Sequence, residues 1–344
     1  MTRHGSVRGN VNYSVAKEDQ AMSGLHYSII IACYNHRLFI ADAVESALSQ
    51  NCRSKEVIVV DDASQDGSLD TLRQYAASIK LLSLSTNHGC LEARDRGAAV
   101  AQGEYLLFLD GDDVLPPWAF DVYELLIAER HPTTIVSSAR WFEGPVPALG
   151  LDDVPERVDF VEYDSWITKD RTSGLYPGAF VIDRRAFHDC GGWSPGVWLH
   201  DDRDLALRLG FSAKAIVVGF PYTFLYRVHP GGWSRSAPRF ISGAYVLIER
   251  ERAGKYPGGP RRRFERYACL GGMIPVCIMR GLRAGCYREV IKLVSRGWSM
   301  LVAAIIRRAI VRLRGRRPLE TRELRTTGVD PCGAGCSVRR RNAV

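Results

Sequence analysis

Short apolar runs alternate with amphipathic stretches from residue 27 to residue 113, and this alternation limits the possible fold more than any other feature of the sequence. The apolar runs, which predict strands, are YSIIIACYN (27–35), KEVIVVDD (55–62), IKLLSLSTN (79–87) and EYLLFLDGDD (104–113). The stretches between them carry apolar residues at helical spacing, as in HRLFIADAVESALSQ (36–50). Strands that alternate with helices predict an α/β fold with a mostly parallel central sheet flanked by helices.

The alternation loosens beyond residue 130. TTIVSSARWF (133–142) predicts a further strand, and GAFVIDRRAF (178–187) predicts a strand that runs into a short helix. The run AKAIVVGFPYTFLYRVH (213–229) is long for one strand, so we expect two strands that are interrupted near Gly219–Pro221. From about residue 237 onward the pattern is helical and rich in arginine.

Charge divides the chain into an acidic body and a basic end. Of the net charge of +8, residues 250–344 contribute +17 and the rest of the chain −9. This asymmetry argues against a uniformly basic nucleic-acid-binding protein, and we expect no nucleic-acid partner. The predicted organisation is a disordered segment over 1–26, an α/β domain over 27–236, a basic helical extension over 237–317 and a disordered basic tail over 318–344.

Targeting and redox features predict a cytoplasmic protein. The first 26 residues contain no apolar core of a signal peptide, and no run of 18 apolar residues predicts a spanning helix. The nine cysteines are scattered and odd in number, which is typical of reduced thiols rather than of a disulfide framework.

Acidic side chains follow two of the predicted strands where those strands end. Asp61 and Asp62 close one strand, and Asp110, Asp112 and Asp113 close another. The carboxyl ends of parallel strands meet at one edge of a sheet, where ligands bind. An Asp-x-Asp at such an edge can hold a hard divalent cation through oxygen ligands and leave positions open for phosphate oxygens. The alternative for the first pair is that DDASQDGS only starts a helix, with Asp66 as its N-cap.

Five motifs in order resemble those of glycosyltransferase family 2, whose members have the GT-A fold. The motifs are SIIIACYN, EVIVVDDAS, GEYLLFLDGDD, WLHDDRDLALRLG and YRVHPGGWS, and they extend over roughly residues 27–235. The resemblance implies a GT-A (Rossmann-like) catalytic domain over 27–236. It also implies transfer of a sugar from a nucleotide-diphospho-sugar, with a UDP-sugar favoured, to a glycan or lipid-linked acceptor.

The resemblance assigns roles to individual residues. Six would contact the nucleotide-sugar, with Asp62 at the base and Asp110 at the ribose: Ala32, Tyr34, Asp62, Arg94, Asp110 and Asp112. Asp112 would also hold Mg²⁺ or Mn²⁺, together with Asp113 and His229. Asp202 would deprotonate the acceptor hydroxyl as a general base, which implies direct displacement with inversion at the sugar carbon.

Several positions depart from the family pattern. Ala32 stands where the family usually has proline, and Asp201 replaces the glutamate that usually precedes the base, so Asp201 could share the role of Asp202. The Gln-x-x-Arg-Trp motif of processive synthases is absent from the sequence, where RVHPGGWSRS stands instead. The resemblance therefore implies single additions in cell-surface glycan or polysaccharide biosynthesis.

Two other functions remain open at this point. A nucleotidyltransferase could use a similar sheet, but it would need a glycine-rich loop after the first strand, where this sequence has ACYNHR. A catalytically inactive protein that binds nucleotide-sugars, or a scaffold at the membrane, would fit the altered residues around Asp202.

The basic extension contains a predicted amphipathic helix. Over residues 286–317 one helical stripe comprises Tyr287, Val290, Ile291, Val294, Trp298, Leu301, Val302, Ile305 and Ala309. A basic amphipathic helix can lie on an anionic membrane, which would place the protein peripherally at the inner face of the cell membrane. The alternative is that this stripe packs on the α/β domain.

Overall fold

The computed structural model describes residues 27–52, 54–149, 153–169, 180–197, 199–211, 213–230 and 236–324. The strands are β1 (Tyr27–Cys33), β2 (Lys55–Asp61), β3 (Lys80–Ser83), β4 (Tyr105–Asp110), β5 (Thr134–Phe142), β6 (Arg157–Tyr163), β7 (Phe180–Asp183), β8 (Ala215–Arg227) and β9 (Glu320–Glu323). The helices are α1 (Ile40–Leu48), α2 (Ser68–Arg73), α3 (Cys90–Ala99), α4 (Ala119–Arg130), α5 (Arg184–Asp189), α6 (Asp201–Leu209), α7 (Ala237–Arg252), α8 (Arg263–Gly271), α9 (Ile274–Arg283) and α10 (Tyr287–Arg314). Segments 1–26 and 325–344, predicted to be disordered, lie outside the described residues.

The nine strands of the described residues form one sheet in the order β3-β2-β1-β4-β7-β5-β8-β6-β9. The first four strands are parallel, and their register places Ala32 opposite both Val60 and Asp110. Beyond β4 the sheet is mixed, because β7 runs antiparallel to both of its neighbours and β6 to both of its own. The predicted α/β class is confirmed, and the parallel half is the part with regular strand–helix alternation.

The two faces of the sheet explain why β1 and β2 are almost wholly apolar. Alternate side chains of β1 enter opposite cores: Ile30 faces one, and Ile29 and Ile31 face the other. One core is covered by α1, α2 and α4, and the other by α3 and the helices from α5 onward. A strand buried on both faces requires continuous apolar sequence rather than alternation.

The C-terminal helices belong to the same core as the sheet. Ile241 and Leu247 of α7, Leu270 of α8 and Met300 of α10 lie in one buried cluster with Ile30 of β1. Helix α10 faces this core with six residues, which are Val290, Leu293, Gly297, Met300, Ala303 and Ala304. The extension predicted over 237–317 therefore packs on the α/β layers.

Two sequence predictions differ from the structure. The segment 213–229 was expected to form two strands, but β8 is one strand whose register with β5 jumps from Val217 to Tyr222. The tail predicted to be disordered from residue 318 contains β9, which pairs antiparallel with β6 from Arg157 to Phe160. Backbone pairing with an otherwise open edge strand orders this polar segment, and an apolar pattern does not reveal it.

In the part of the chain that the structure describes, no helix is long and apolar enough to cross a membrane.

Candidate active site

Three carboxylates meet where β4 ends at the carboxyl edge of the parallel strands. One oxygen from each of Asp110, Asp112 and Asp113 lies within 4.8 Å of the others. The N–H of Gly111 donates to the backbone oxygen of Ala32 at 3.0 Å, which holds the turn close to the end of β1. A Cβ at position 111 would lie 2.7 Å from Nδ1 of His36 and 3.1 Å from that same oxygen, so the site needs glycine here.

Asp113 is the buried member of this group. Its Oδ1 accepts the backbone N–H of Arg227 at 2.8 Å. Burial raises the pKa of Asp113 well above its ordinary value, and the charges of Asp112 and Asp110 raise it further. A cluster of this kind is stabilised by positive charge, which a bound cation would supply.

Arg227 supports the turn from the end of β8. Its buried guanidinium donates to the backbone oxygen of Asp112 at 2.9 Å, to that of Gly144 at 2.7 Å and to Oδ2 of Asp42 at 2.6 Å. It also lies over the Phe39 ring at 4.8 Å. Arg227 therefore joins α1, β8 and the carboxylate turn.

His229 follows β8 and lies against the same turn. Its Nε2 is 2.9 Å from Oδ2 of Asp112, and its ring packs on Phe39 at a centroid distance of 4.8 Å. This position places His229 beside a predicted metal ligand, as the resemblance implies. Whether it binds a cation itself stays a prediction.

Arg94 joins the carboxylate turn to helix α6. One terminal nitrogen donates to Asp110, and Nη1 donates to Oδ2 of Asp201 at 2.9 Å. The guanidinium is buried and lies 5.2 Å from the centre of the Trp193 ring. Trp193 is itself buried and packs on Phe108.

Asp201 and Asp202 form the first turn of α6, where the helix dipole favours negative charge. Burial raises the pKa of Asp202 to about 7, with the charge of Asp201 as the second cause. The N–H of Arg203 donates to Oδ1 of Asp202 at 2.6 Å. Because Asp201 is paired with Arg94, Asp202 is the better placed of the two carboxylates to accept a proton.

The residues predicted to contact the nucleotide lie on the adjoining strand ends. Ala32 is buried at the end of β1, and Tyr34 follows it with 37% of its surface exposed. Both carboxylate oxygens of Asp62 accept backbone N–H groups, from His88 at 2.8 Å and from Gly89 at 2.7 Å. Asp62 thus fixes the loop before α3, and its predicted contact with a base would use the remaining lone pairs of the carboxylate.

Comparison with known proteins places this arrangement in a family. The model of "Glycosyl transferase family 2" matches residues 28–191, which include the carboxylate turn and Arg94. The chain contains a family 2 glycosyltransferase domain. Asp202 and His229 lie beyond the matched residues, so the family match does not extend to them and their roles stay predictions.

Curated relatives are similar to about a quarter to a third of the chain. TuaG of Bacillus subtilis, named for teichuronic acid biosynthesis, is 43% identical over 89 residues, 25% of this chain and 35% of that protein. WfaP of Escherichia coli, named as a UDP-Glc:α-D-GlcNAc-diphosphoundecaprenol β-1,3-glucosyltransferase, is 40% identical over 88 residues, 25% of this chain and 35% of that protein. The first of the curated relatives align with this chain over only 25% to 40% of their own length.

A solved structure extends the likeness in fold to most of the chain. Residues 1–349 of S. aureus TarS, crystallised with UDP-GlcNAc, superpose with a TM-score of 0.54 at 16% identity. The superposition covers 80% of this chain and 91% of that one. The GT-A fold implied by the sequence resemblance is confirmed.

The candidate site contains residues that the sequence analysis did not select. Arg227 lies two residues before His229, within the motif YRVHPGGWS, so an arginine at the end of a predicted strand was the available signal. Asp95, the residue after Arg94, accepts the N–H of Trp193 at 2.8 Å. Asp42 gave no signal, because an acidic residue on an amphipathic helix is ordinary.

The donor set of the family 2 domain fits a hard divalent cation. All three clustered groups are carboxylates, which are the ligands that Mg²⁺ and Mn²⁺ prefer. Asp110 and Asp112 are partly exposed, whereas Asp113 is buried, so a cation held here would keep an open side toward solvent.

Proposed function

We propose that the chain is a metal-dependent inverting glycosyltransferase that moves a sugar from a nucleotide-diphospho-sugar to an acceptor hydroxyl by single additions. The observation that carries the proposal is the link from Asp110 through Arg94 to Asp201, beside Asp202. This link holds the carboxylate cluster, which suits a cation bound to a diphosphate, close to Asp202, whose carboxylate suits the acceptance of a proton. WfaP, named as a UDP-glucose enzyme, favours a UDP-sugar as donor.

The reaction follows from these groups. The acceptor O–H gives its proton to the carboxylate of Asp202 while its oxygen forms a bond to the anomeric carbon. The bond from that carbon to the donor phosphate breaks, and the nucleoside diphosphate leaves with the electron pair. Attack from the face opposite the leaving group inverts the anomeric centre, and no covalent enzyme intermediate is needed.

Asp110, Asp112 and Asp113 would hold the cation. A bound Mg²⁺ or Mn²⁺ supplies a Lewis acid that neutralises negative charge on the leaving diphosphate. Arg227 keeps the backbone of this turn in place, and Arg94 balances the charges of Asp110 and Asp201. These arginines act by positioning carboxylates.

The acceptor is proposed to be a glycan or a lipid-linked saccharide, and the setting is cell-surface glycan or polysaccharide synthesis at the inner face of the cell membrane. A row of exposed apolar residues on α10 supports this proposal: Tyr287, Ile291, Trp298, Val302 and Ile305. Their spacing of three, four or seven residues makes one stripe, different from the face that packs on the core. Exposed apolar stripes with flanking arginines suit the interface of an anionic membrane.

Hydrolysis of nucleotide-sugars tests the enzyme proposal. We expect one UDP- or GDP-sugar in a panel to be hydrolysed slowly in the presence of Mn²⁺ or Mg²⁺, and the same ligand to raise the melting temperature. Proton NMR of the first sugar released, or of the transferred product, should show inverted anomeric configuration. Binding without turnover of any donor or acceptor would instead indicate the inactive nucleotide-sugar-binding protein.

Flotation with anionic liposomes tests the membrane proposal. Truncation is unsuitable because α10 contributes to the core, so Ile291→Ser with Trp298→Ser is the better variant. Leu38→Ser, at an apolar residue that is 83% exposed outside α10, is the matched control. The proposal predicts reduced flotation only for the α10 variant, and equal flotation of all three proteins contradicts it.

A further inference from the structure

A cavity of about 660 Å³ lies beside the first turn of α6, and none of the three clustered carboxylates lines it. Its walls are the short 3₁₀ helix Trp166–Thr168, the C-terminal end of α8 around Cys269, and the last turns of α10 from Ala304 onward. Arg203, in the first turn of α6, completes the lining.

Positive charge dominates this cavity. Six of its lining residues are cationic: Lys169, Arg203, Arg307, Arg308, Arg312 and Arg316. Among the described residues that line it, none is acidic. Such a concentration of like charge is costly unless an anion occupies the space, because the cations repel one another at short range.

Hydrogen bonds to backbone oxygens hold two of the cationic side chains in place. Arg203 donates to the backbone oxygen of Cys269 at 3.1 Å, and Arg307 donates to that of Lys169. The Lys169 ammonium lies 4.0 Å from the centre of the Trp166 ring. Arg308 and Arg312 are exposed on the final turns of α10, where they can close around a ligand.

The electrostatics agree with an anion site near the proposed base. Burial lowers the pKa of Lys169 to about 7, and the charges of Arg203 and Arg307 lower it further, while Asp202 opposes them. Asp202 is therefore close enough to the cavity to act on its charge. Arg203, which lines the cavity, directly follows Asp202 in the sequence. An anion in the cavity would therefore lie near an acceptor hydroxyl that Asp202 deprotonates.

We propose that this cavity binds a phosphate or diphosphate group of the acceptor, and that the acceptor is therefore a phosphorylated saccharide rather than a neutral glycan. The proposal rests on the proposed function, because it assigns the ligand on the acceptor side of that same site. The donor diphosphate is not the ligand, since we expect it to bind at the carboxylate turn, whose three aspartates do not line the cavity.

The exposed apolar stripe of α10 extends to the part of the helix that lines the cavity. The residues of α10 that line the cavity begin at Ala304, and Trp298, Val302 and Ile305 of the exposed stripe lie on the same stretch of helix. A diphosphate in the cavity with an apolar chain along this stripe would match a lipid-linked acceptor. A water-soluble phosphorylated acceptor would use the cavity alone.

Calorimetric titration of the full chain with inorganic pyrophosphate in EDTA tests the anion site. Without metal, the clustered carboxylates repel pyrophosphate from the donor side, so binding reports the cavity. The cavity variant combines Arg308→Gln, Arg312→Gln and Arg316→Gln. The control combines Arg283→Gln, Arg288→Gln and Arg314→Gln, which remove the same charge from residues of α9 and α10 that do not line the cavity.

We expect the cavity variant to bind pyrophosphate at least tenfold more weakly and the control to stay within twofold of the unaltered protein. Equal weakening in both variants would mean nonspecific attraction and would overturn the proposal, as would an unchanged affinity in the cavity variant. UDP binding with Mn²⁺ should be retained in both variants. If the unaltered protein does not bind UDP with Mn²⁺, the proposed function is contradicted. The comparison of pyrophosphate binding between the two variants still decides whether the cavity is an anion site.

Geranyl diphosphate distinguishes the two sources of the anion. Binding at least tenfold tighter than pyrophosphate supports a lipid-linked acceptor, and equal binding supports a water-soluble one. Both results keep the phosphate site, whereas no binding of either ligand removes it.

Discussion

Arg94 donates a 2.9 Å hydrogen bond from Nη1 to Oδ2 of Asp201, and this contact ties helix α3 to the first turn of α6 across 107 residues of sequence. The same guanidinium is paired with Asp110 at the end of β4. The donor side and the acceptor side of the proposed site therefore share one buried cation.

Replacement of this cation should destabilise the fold as well as the site. We expect Arg94→Ala to lower the free energy of unfolding by about 3–5 kcal/mol, the usual cost of breaking a buried ion pair from one side. The control is Arg96→Ala on the same helix, whose pair with Glu92 is exposed and is worth about 0–1 kcal/mol. Chemical denaturation measures both, and similar small losses would show that Arg94 does not hold the two carboxylates together.

The pH dependence of transfer should report Asp202. Because its pKa is raised to about 7, the base is protonated and inactive in acid, and kcat/KM should rise tenfold per pH unit below pH 7 and level off above it. Asp202→Asn should lower kcat by about 10²–10⁴-fold, the usual contribution of general base catalysis, with donor binding retained. A pH profile that is flat from pH 5 to pH 8 would contradict this assignment.

The raised pKa of Asp202 also affects the stability of the fold, which should fall with rising pH while activity rises. A carboxyl whose folded pKa is raised binds its proton more tightly in the folded state, so its contribution favours folding at low pH and is lost as pH rises through about 7. Asp202→Asn should therefore stabilise the protein relative to the unaltered chain more at pH 8 than at pH 4. Melting temperatures at the two pH values measure this difference, and equal shifts would contradict it.

Gly111 should be required for the carboxylate turn. An alanine would place its Cβ 3.1 Å from the backbone oxygen of Ala32 and 2.7 Å from His36, and the backbone oxygen cannot move without disturbing β1. We expect Gly111→Ala to cost about 1–3 kcal/mol from overpacking and to weaken metal-dependent UDP binding at least tenfold. Gly219→Ala is the control, because its Cβ would meet only ordinary contacts at 3.6 Å or beyond. Equal UDP affinity in the two variants would contradict the requirement.

Helix α10 should depend on close contact with α8. A Cβ on Gly271 would lie 1.9 Å from the backbone oxygen of Met300, whereas one on Gly272 would meet nothing closer than 3.4 Å. Gly271→Ala should therefore lower the melting temperature well below that of Gly272→Ala, since an overpacked core costs about 1–3 kcal/mol. Equal melting temperatures would mean that α10 is not held against α8.

The sequence predicted local structure and the carboxylate edge because both leave a local signal. Strands buried on two faces need continuous apolar runs, and Asp110, Asp112 and Asp113 end such a run. The contacts of Arg94 with Asp201 and of Arg227 with Asp42 were not predictable, since they join residues 107 and 185 positions apart. The spacing of residues within one helix or strand carries no information about ion pairs between residues so far apart in the sequence.

Helix α10 shows a different limit of periodicity. The predicted stripe included Val290, but three of the six core-facing residues are small: Gly297, Ala303 and Ala304. Gly297 allows close approach of Ile248 of α7 and Ile274 of α9. Small residues add little to an apolar pattern, so the larger side chains Ile291 and Trp298 define the predicted stripe although they are exposed. The helix therefore packs on the α/β domain by one face and leaves a second, apolar face exposed, and contact of that second face with a membrane stays a prediction.

Binding of UDP in the presence and absence of Mn²⁺ tests the central claim most directly. The account predicts that UDP binds with Mn²⁺, and that either EDTA or Asp112→Asn weakens binding at least tenfold while Asp70→Asn, at a largely exposed carboxylate, does not. UDP affinity that is the same with and without metal, and the same in Asp112→Asn, would contradict a metal-dependent nucleotide-sugar site at the end of β4.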